Sequence, residues 1–170
     1  MYKILLFSVF VFFGVHVTAQ NEAFMPYIGK HYRDFSEFEQ YKDFKDYGGM
    51  LLNYQQDQDT TDAFAWYGKG KTNIIIFEAA YNPNGGTSAR FIFKDALVIK
   101  DKKKNFSIIY GLCSYDGLED AYVVAYMKVN YNTEYYTKCK KAWRINPITR
   151  VFEEIDPQKV ICINESFGCC

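Results

Sequence analysis

From residue 60 onward, the chain alternates apolar and polar side chains in short runs that turn-forming residues separate. Such alternation is typical of half-buried β-strands. The runs that predict strands are residues 63–67, 73–81, 90–100, 105–113 and 121–130, followed by a final hairpin over residues 141–154. Turn signals between them include NPNGG at 82–86 and YDG at 115–117. About eight or nine strands joined by short turns predict an antiparallel meander, closed as a barrel or folded as a sandwich.

Two of these runs are apolar on both faces and predict strands that are covered on both sides. Residues 73–77 read NIIIF, which is expected of a central strand. In the run that begins at Ala121, Val123 and Ala125 lie on one face, whereas Val124 lies on the other. We expect this strand to be covered by a helix or by an opposing sheet.

The final hairpin can be written in a single register. We take residues 146–149, NPIT, as its turn. This register pairs Ile145 with Arg150, Trp143 with Phe152, and Lys141 with Glu154. An aromatic pair and an ion pair both follow from it, and this consistency favours the register.

Residues 36–47 carry a helical signature. Ser36 and Glu39 have the spacing of a capping box, in which each side chain accepts a hydrogen bond from the other residue's backbone amide. Aromatic residues follow at positions 38, 41 and 44, and Gly48 and Gly49 provide a C-terminal stop. The predicted fold class is therefore α+β, mostly antiparallel β, with one short N-terminal helix.

The first 19 residues have the pattern of a secretory signal peptide. Lys3 precedes an apolar run over residues 4–17, and the small side chains before Gln20 suit cleavage after Ala19. We therefore expect residues 20–170 to form a single secreted or periplasmic domain. The apolar run is shorter than the ~20 residues that span a bilayer, and no later stretch reaches that length.

The charges of the chain balance, with 20 basic and 20 acidic residues among 170. A net charge of zero argues against electrostatic capture of nucleic acid or of an anionic membrane. Residues 102–104 form a local run of lysines. Because this run lies between two predicted strands, we interpret it as a solvated hairpin tip.

The chain has five cysteines, and this odd number leaves at least one without a partner in the same chain. Two disulfides can form in 15 ways, because any of the five can be spare and the other four pair in three ways. We predict that Cys113 pairs with Cys162, since both lie in apolar surroundings. Cys169 and Cys170 form a vicinal disulfide, fray at the end of the chain, or pair back to Cys139 or Cys162.

Recognisable catalytic motifs are absent from the sequence. It lacks the motifs of serine hydrolases, zinc proteases, P-loop proteins and dinucleotide-binding folds, and after signal removal His31 is the only histidine. We interpret His31 as a surface side chain and predict no catalytic site, no cofactor and no metal site. Acidic residues cluster in two predicted turns, interpreted as polar turns rather than as Ca²⁺ ligands: Asp57, Asp59 and Asp62, and Asp116, Glu119 and Asp120.

Aromatic residues make up 19% of the chain, including 15 tyrosines. Several tyrosines occupy positions where strand alternation permits exposure, and exposed aromatic rings give a rigid contact surface. The candidate binding aromatics are Tyr122, Tyr126 and Trp143. The alternative is that tyrosine is abundant here because it favours strands.

Five short segments follow one another in a recognisable order: FAWYG at 64–68, YGLC at 110–113, KAWR at 141–144, FEEI at 152–155 and CINE at 162–165. This order resembles a group of small exported bacterial proteins without an assigned function. The resemblance covers most of the chain after residue 19, and it implies bacterial export and the Cys113–Cys162 pairing. It implies no catalytic residue and no ligand.

These patterns favour an exported, non-enzymatic protein that binds a partner protein, a glycan or a small apolar ligand through a sheet face or a barrel mouth. Two alternatives stay open. The first is a periplasmic inhibitor or immunity-type protein, which would block an enzyme or a toxin. The second is a hydrolase that uses acidic residues such as Asp57, Asp59, Asp116 or Asp120.

Overall fold

The computed structural model describes residues 22–52, 60–82, 90–100 and 103–168. Antiparallel β-strands dominate these ranges, which confirms the mostly antiparallel β class. The strands are β1 (His31–Tyr32), β2 (Lys45–Leu51), β3 (Thr60–Lys69), β4 (Thr72–Tyr81), β5 (Arg90–Lys100), β6 (Phe106–Tyr110), β7 (Cys113–Tyr115), β8 (Leu118–Glu119), β9 (Val123–Lys128), β10 (Tyr135–Tyr136), β11 (Cys139–Ile145), β12 (Phe152–Ile155) and β13 (Val160–Ile163). Short 3₁₀ segments cover Glu22–Tyr27, Phe35–Glu37, Glu39–Tyr41 and Pro157–Lys159. Across the ranges described, no helix combines the length and the apolar character that crossing a membrane requires.

The strands form three antiparallel sheets. The first sheet has the order β1-β5-β4-β3-β2, the second β12-β11-β9-β6, and the third β10-β13-β7-β8. β4 contains the NIIIF run and lies in the middle of the first sheet, which confirms the prediction of a central strand. The strands curl in the manner of half a barrel.

Apolar layers join the sheets face to face. The first and second sheets share a core cluster that includes Phe64, Ile75, Val124, Trp143 and Phe152. The second and third sheets share another, which includes Val123, Ala125, Val160 and Cys162. β9 contributes to both clusters, so this strand is covered on both faces by sheets, as its pattern predicts.

Residues 22–44 cover the outer face of the first sheet, and here the predicted helix is wrong. Two separate 3₁₀ turns occupy residues 35–41, and the chain is already in β2 at Lys45. The capping box belongs to Asp34, whose carboxylate accepts the Ser36 amide while Glu37 reaches back to the amide of Asp34. The aromatic residues that suggested a helical face instead stack on the sheet, with the rings of Phe35 and Tyr41 4.6 Å apart.

The two glycines predicted to stop the helix lie within β2. Gly48 pairs with Trp66 and Gly49 with Ala65 on the neighbouring strand. A β-carbon at Gly49 would lie 2.7 Å from the carbonyl oxygen of Phe64, so glycine is needed there for the two backbones to approach. Pairing with β3 therefore determines the conformation of these two glycines, although their local sequence is typical of the end of a helix.

The final hairpin forms, but its predicted register is wrong by two residues. Ile145 lies opposite Phe152, and Trp143 lies opposite Glu154. The turn is longer than predicted because the Asn146 side chain accepts the amides of residues 148 and 149, and Arg150 adopts a left-handed conformation with φ of 60°. A shift of two residues keeps every side chain on its face, so Trp143 and Phe152 still enter the same core.

Candidate functional site

A cleft of about 850 Å³ opens beside the third sheet. Residues 111–122, which run from the end of β6 to the start of β9, form most of its wall. Tyr135, Arg144, Ile161 and Ile163 complete it from the neighbouring strands. This volume lies in the range of small-molecule and peptide pockets, so we take the cleft as the candidate site.

The cleft carries exposed apolar side chains. Leu118 is 75% exposed, Tyr135 48%, Ile163 44% and Ile161 42%. In β13 alternate residues face opposite ways, so Val160 and Cys162 are buried against the second sheet while Ile161 and Ile163 point outward. Tyr135 pairs with Ile163 across the strands, which extends the apolar surface onto β10.

One ion pair lies in the cleft among these apolar groups. The Nε atom of Arg144 donates to Oδ2 of Asp120 at 2.7 Å. The other oxygen of Asp120 accepts the backbone amide of Tyr122 at 3.0 Å, which fixes the carboxylate in place. The side chain of Arg144 keeps 44% of its surface exposed, so part of its guanidinium is accessible to a ligand.

A second polar group anchors Tyr122 between the cleft and the core. The hydroxyl of Tyr122 donates to Asp62 at 2.7 Å, and Asp62 also pairs with Arg150. The guanidinium carbon of Arg150 lies 4.7 Å from the centre of the Phe77 ring. These contacts hold the Tyr122 ring in one position, which preorganises this wall of the cleft.

The Cys113–Cys162 disulfide forms, as the apolar surroundings of the two residues predict. The two cysteines lie directly opposite each other on β7 and β13. Next to them, Asp116 and Gly117 have positive φ angles of 55° and 82° and close the β7–β8 hairpin at the predicted turn signal. The disulfide therefore joins β7 and β13, the two strands that supply opposite parts of the cleft wall, by a covalent bond.

The three predicted binding aromatics separate in the structure. Tyr122 lines the cleft, whereas Tyr126 and Trp143 are only 3% and 9% exposed and belong to the core between the first and second sheets. The exposure that strand alternation permits for Tyr126 is therefore not found, and neither Tyr126 nor Trp143 lines the cleft. Strand alternation shows which residues share a face, but the tertiary packing decides which face meets solvent.

The acidic residues of the predicted turns are placed as follows. Asp116 pairs with Lys159 at 3.0 Å on the surface, and Asp62 and Asp120 hold arginines as described above. Asp57 and Asp59 lie outside the described residues, as do Cys169 and Cys170. Among the residues that the structure describes, no group of three histidine, cysteine or acidic side chains could hold a metal ion.

His31 is exposed, in agreement with its interpretation as a surface side chain, and its Nδ1 lies 2.5 Å from the hydroxyl of Tyr81. Cys139 is a free, half-buried thiol on β11. Burial raises the pKa of this thiol to about 11, so it stays protonated at neutral pH and is a weak nucleophile.

Two buried carboxylates, those of Glu78 and Asp95, were not identified from the sequence. Glu78 and Asp95 are 3% and 4% exposed. Glu78 accepts a hydrogen bond from the hydroxyl of Tyr32 under the N-terminal segment. Asp95 lies opposite Phe77, on the other face of the sheet, and accepts the amides of Ala96 and Phe152 at 2.8 Å each. Because the sheet separates them, the two carboxylates cannot act together on one substrate.

Leu118, Ile161 and Arg144 are residues of the cleft that sequence reasoning missed. Arg144 lies on the same hairpin as Trp143, where alternation assigns it to the opposite face, and this signal could have identified it as a surface residue. Leu118 follows a turn, so no periodicity marks it. Comparisons of the chain with protein-family models, with curated proteins and with solved structures find no match.

Proposed function

We propose that this chain is an exported, non-enzymatic protein whose cleft binds a segment of a partner protein. The exposed apolar surface of the cleft carries the proposal. Four large apolar side chains are 42–75% exposed around one ion pair, and such surfaces in soluble proteins mark interaction sites. An apolar patch bordered by polar groups is also the usual composition of a protein interface, and Asp116, Glu119, Asp120 and Arg144 are the charged groups of this cleft.

A protein segment fits the cleft better than a neutral glycan does. Three of the four exposed apolar side chains of the cleft, those of Leu118, Ile161 and Ile163, are aliphatic and pack well on leucine or valine side chains, whereas Tyr135 alone of the four offers a ring face for a sugar. Arg144 supplies guanidinium donors that suit a carboxylate of the partner, and Asp120 holds this group in place. The partner would thus present apolar side chains and a single carboxylate at Arg144, since Asp116 and Glu119, which line the same cleft, disfavour further acidic groups.

Export is the second part of the proposal. The pattern of residues 1–19 motivates it, although these residues lie outside the described ranges. The Cys113–Cys162 disulfide supports it, because structural disulfides persist mainly in oxidising compartments. The resemblance to small exported bacterial proteins points the same way.

A peptide-display experiment tests binding at the cleft. The purified protein is used to select peptides from a random library, and an enriched peptide is then titrated calorimetrically against two variants. Leu118→Asp places a charge in the cleft, and Ile148→Asp makes the same chemical change at an 88% exposed site on the β11–β12 turn. We expect binding to weaken at least tenfold in the first variant and to stay unchanged in the second.

Two results would contradict the proposal. The first is that no peptide is enriched, and the second is that both variants bind the enriched peptide as the parent does. Export is tested separately by the intact mass of the protein recovered from a bacterial periplasm. A mass that begins at Gln20 supports it, and a mass that retains residues 1–19 rejects it.

A further inference from the structure

Lysine side chains gather at one end of the first and second sheets, although the whole chain is neutral. At this end of the first sheet lie Lys45, Lys69, Lys71 and Lys100. At the same end of the second sheet lie Lys103, Lys104, Lys128, Lys138, Lys140 and Lys141. All ten are exposed, and we call them the lysine rim.

Strand pairing establishes that these residues share one end. Thr72 at the start of β4 lies opposite Lys100 at the end of β5, and Gly68 of β3 lies opposite Lys45. In the second sheet, Phe106 at the start of β6 lies opposite Lys128 at the end of β9. The end of β5 is six residues before Phe106, so the two rows lie within about 20 Å of each other.

The lysine rim consists of two rows, one on each sheet. The first row crosses four neighbouring strands and the second crosses three. With strands spaced about 4.8 Å apart, the rows are about 15 Å and 10 Å long. This spacing produces a dense positive surface that is too broad for one small anion and suits an extended polyanion.

Few carboxylates offset this charge. Among the residues that the structure describes, the segments that form the rim also carry Asp43, Asp46, Glu154 and Asp156, so ten described lysines meet four described acidic residues; Asp101, next to Lys100, lies outside the described ranges. Asp43 pairs with Lys69 at 2.9 Å, with both groups more than half exposed. An exposed pair of this kind is weak and can exchange its partner for a bound anion.

We propose that the lysine rim binds an anionic polysaccharide, built from uronic acid or sulfated sugars. Lysine ammonium groups act as mobile point charges, which suits the irregular charge positions of such polymers, whereas phosphate recognition usually employs arginine forks. The four arginines lie elsewhere, and two of them are paired with aspartates at the opposite strand ends.

An exposed tyrosine next to the rim strengthens this choice. Tyr47 is 49% exposed, and the ammonium group of Lys45 lies 5.3 Å from its ring centre. An aromatic face beside a cation can pack on a sugar ring while the lysine meets its acidic group. A bilayer is favoured less, because the aliphatic surface around Leu118 and Ile161 lies at the opposite strand ends, away from the lysines.

The test measures binding of polygalacturonate and of heparin at 50 mM and 200 mM NaCl. The rim variant is Lys71→Gln, Lys104→Gln and Lys128→Gln combined, which removes three charges from two connections and from the end of β9. The matched control is Lys30→Gln, Arg33→Gln and Lys159→Gln combined, which removes three charges elsewhere. We expect the rim variant to bind at least tenfold more weakly, the control to stay within twofold, and salt to weaken binding of the parent by tenfold or more.

Three results would overturn the proposal. The first is that neither polysaccharide binds at 50 mM NaCl, and the second is that both variants bind as the parent does. The third is tighter binding of phosphatidylglycerol vesicles or of single-stranded DNA than of either polysaccharide, which would assign the rim to a membrane or to nucleic acid. The rim is separate from the cleft, so the proposed peptide binding is unaffected by any of these results.

Discussion

The buried carboxyl group of Glu78 should make the stability of the fold depend on pH. It lies under the N-terminal segment, where the Tyr32 hydroxyl donates to it. Burial raises the pKa of Glu78 from 4.5 to about 7; the hydrogen bond from Tyr32 opposes this shift, and the charge of Asp46 adds to it. Burial and the nearby Glu78 carboxylate in turn raise the pKa of Tyr32, so its hydroxyl remains a donor.

The sign follows from the direction of this shift. The folded protein holds the Glu78 proton more tightly than the unfolded chain does, so this stabilisation is complete below pH 4.5 and is lost as the pH rises through about 7. A difference from 4.5 to about 7, at 1.36 kcal/mol per unit, corresponds to about 3 kcal/mol. A small domain has only ~5–15 kcal/mol of stability, so this loss should be easily measured.

Urea unfolding at intervals between pH 4.5 and 8, followed by tryptophan fluorescence, measures this effect. Glu78 should lower the free energy of unfolding of the parent by about 3 kcal/mol over that range, and Glu78→Gln should keep only the fall that comes from Asp95, whose pKa burial also raises. Glu154→Gln, at an exposed site on β12, should follow the parent, and His31→Gln controls for imidazole titration.

A second variant separates the electrostatic argument from any packing defect of the amide. Tyr32→Phe removes the hydrogen bond that lowers the pKa of Glu78, so the decline with pH should become larger and extend above pH 7. If Glu78→Gln and the parent lose stability in parallel between pH 5 and 8, the reasoning is wrong.

Two further predictions concern stability. The double variant Cys113→Ser, Cys162→Ser should lose about 4 kcal/mol of its free energy of unfolding in urea, because the disulfide closes a loop across a sequence separation of 49. Cys139→Ser, which removes a free thiol, should change this free energy little. Equal losses in the two variants would refute the prediction. Trp143→Ala should lower the free energy of unfolding by ~3–5 kcal/mol, because the Trp143 ring fills the core between the first and second sheets. Tyr131→Ala, at an exposed site, should lower it by less than ~0.5 kcal/mol. Comparable thermal midpoints in the two variants would show that the core assignment is wrong.

Features with a local or strictly periodic cause could be predicted from the sequence. The NIIIF run is apolar on both faces, and only a strand covered on both sides accommodates it, so the central position of β4 follows. The Asp116–Gly117 turn follows from the residues that tolerate positive φ angles. The Cys113–Cys162 pair follows from two apolar strands that each need a partner.

Features decided by tertiary packing could not be predicted in this way. The aromatic residues at positions 38, 41 and 44 are spaced like one face of a helix, yet they pack on a sheet already rich in aromatic side chains. In isolation, Gly48 and Gly49 resemble residues that end a helix, but in the structure they pair with β3 and form part of β2. The cleft itself depends on which face of β13 the second sheet covers, and periodicity within β13 cannot decide this.

The lysine rim lies between these two cases. In an antiparallel meander, successive connections alternate between the two ends of a sheet. The connections after β3, β5 and β9 therefore fall at one end of the sheets, and most of the rim lysines lie in these connections or next to them. The connections after β2, β4 and β6 fall at the other end, and their sequences contain no lysine. The pattern of strands thus predicts that these lysines gather at one end of each sheet, and the short connection between β5 and β6 brings the two rows near each other. The net charge of zero therefore describes the molecule as a whole but not the distribution of charge between its ends.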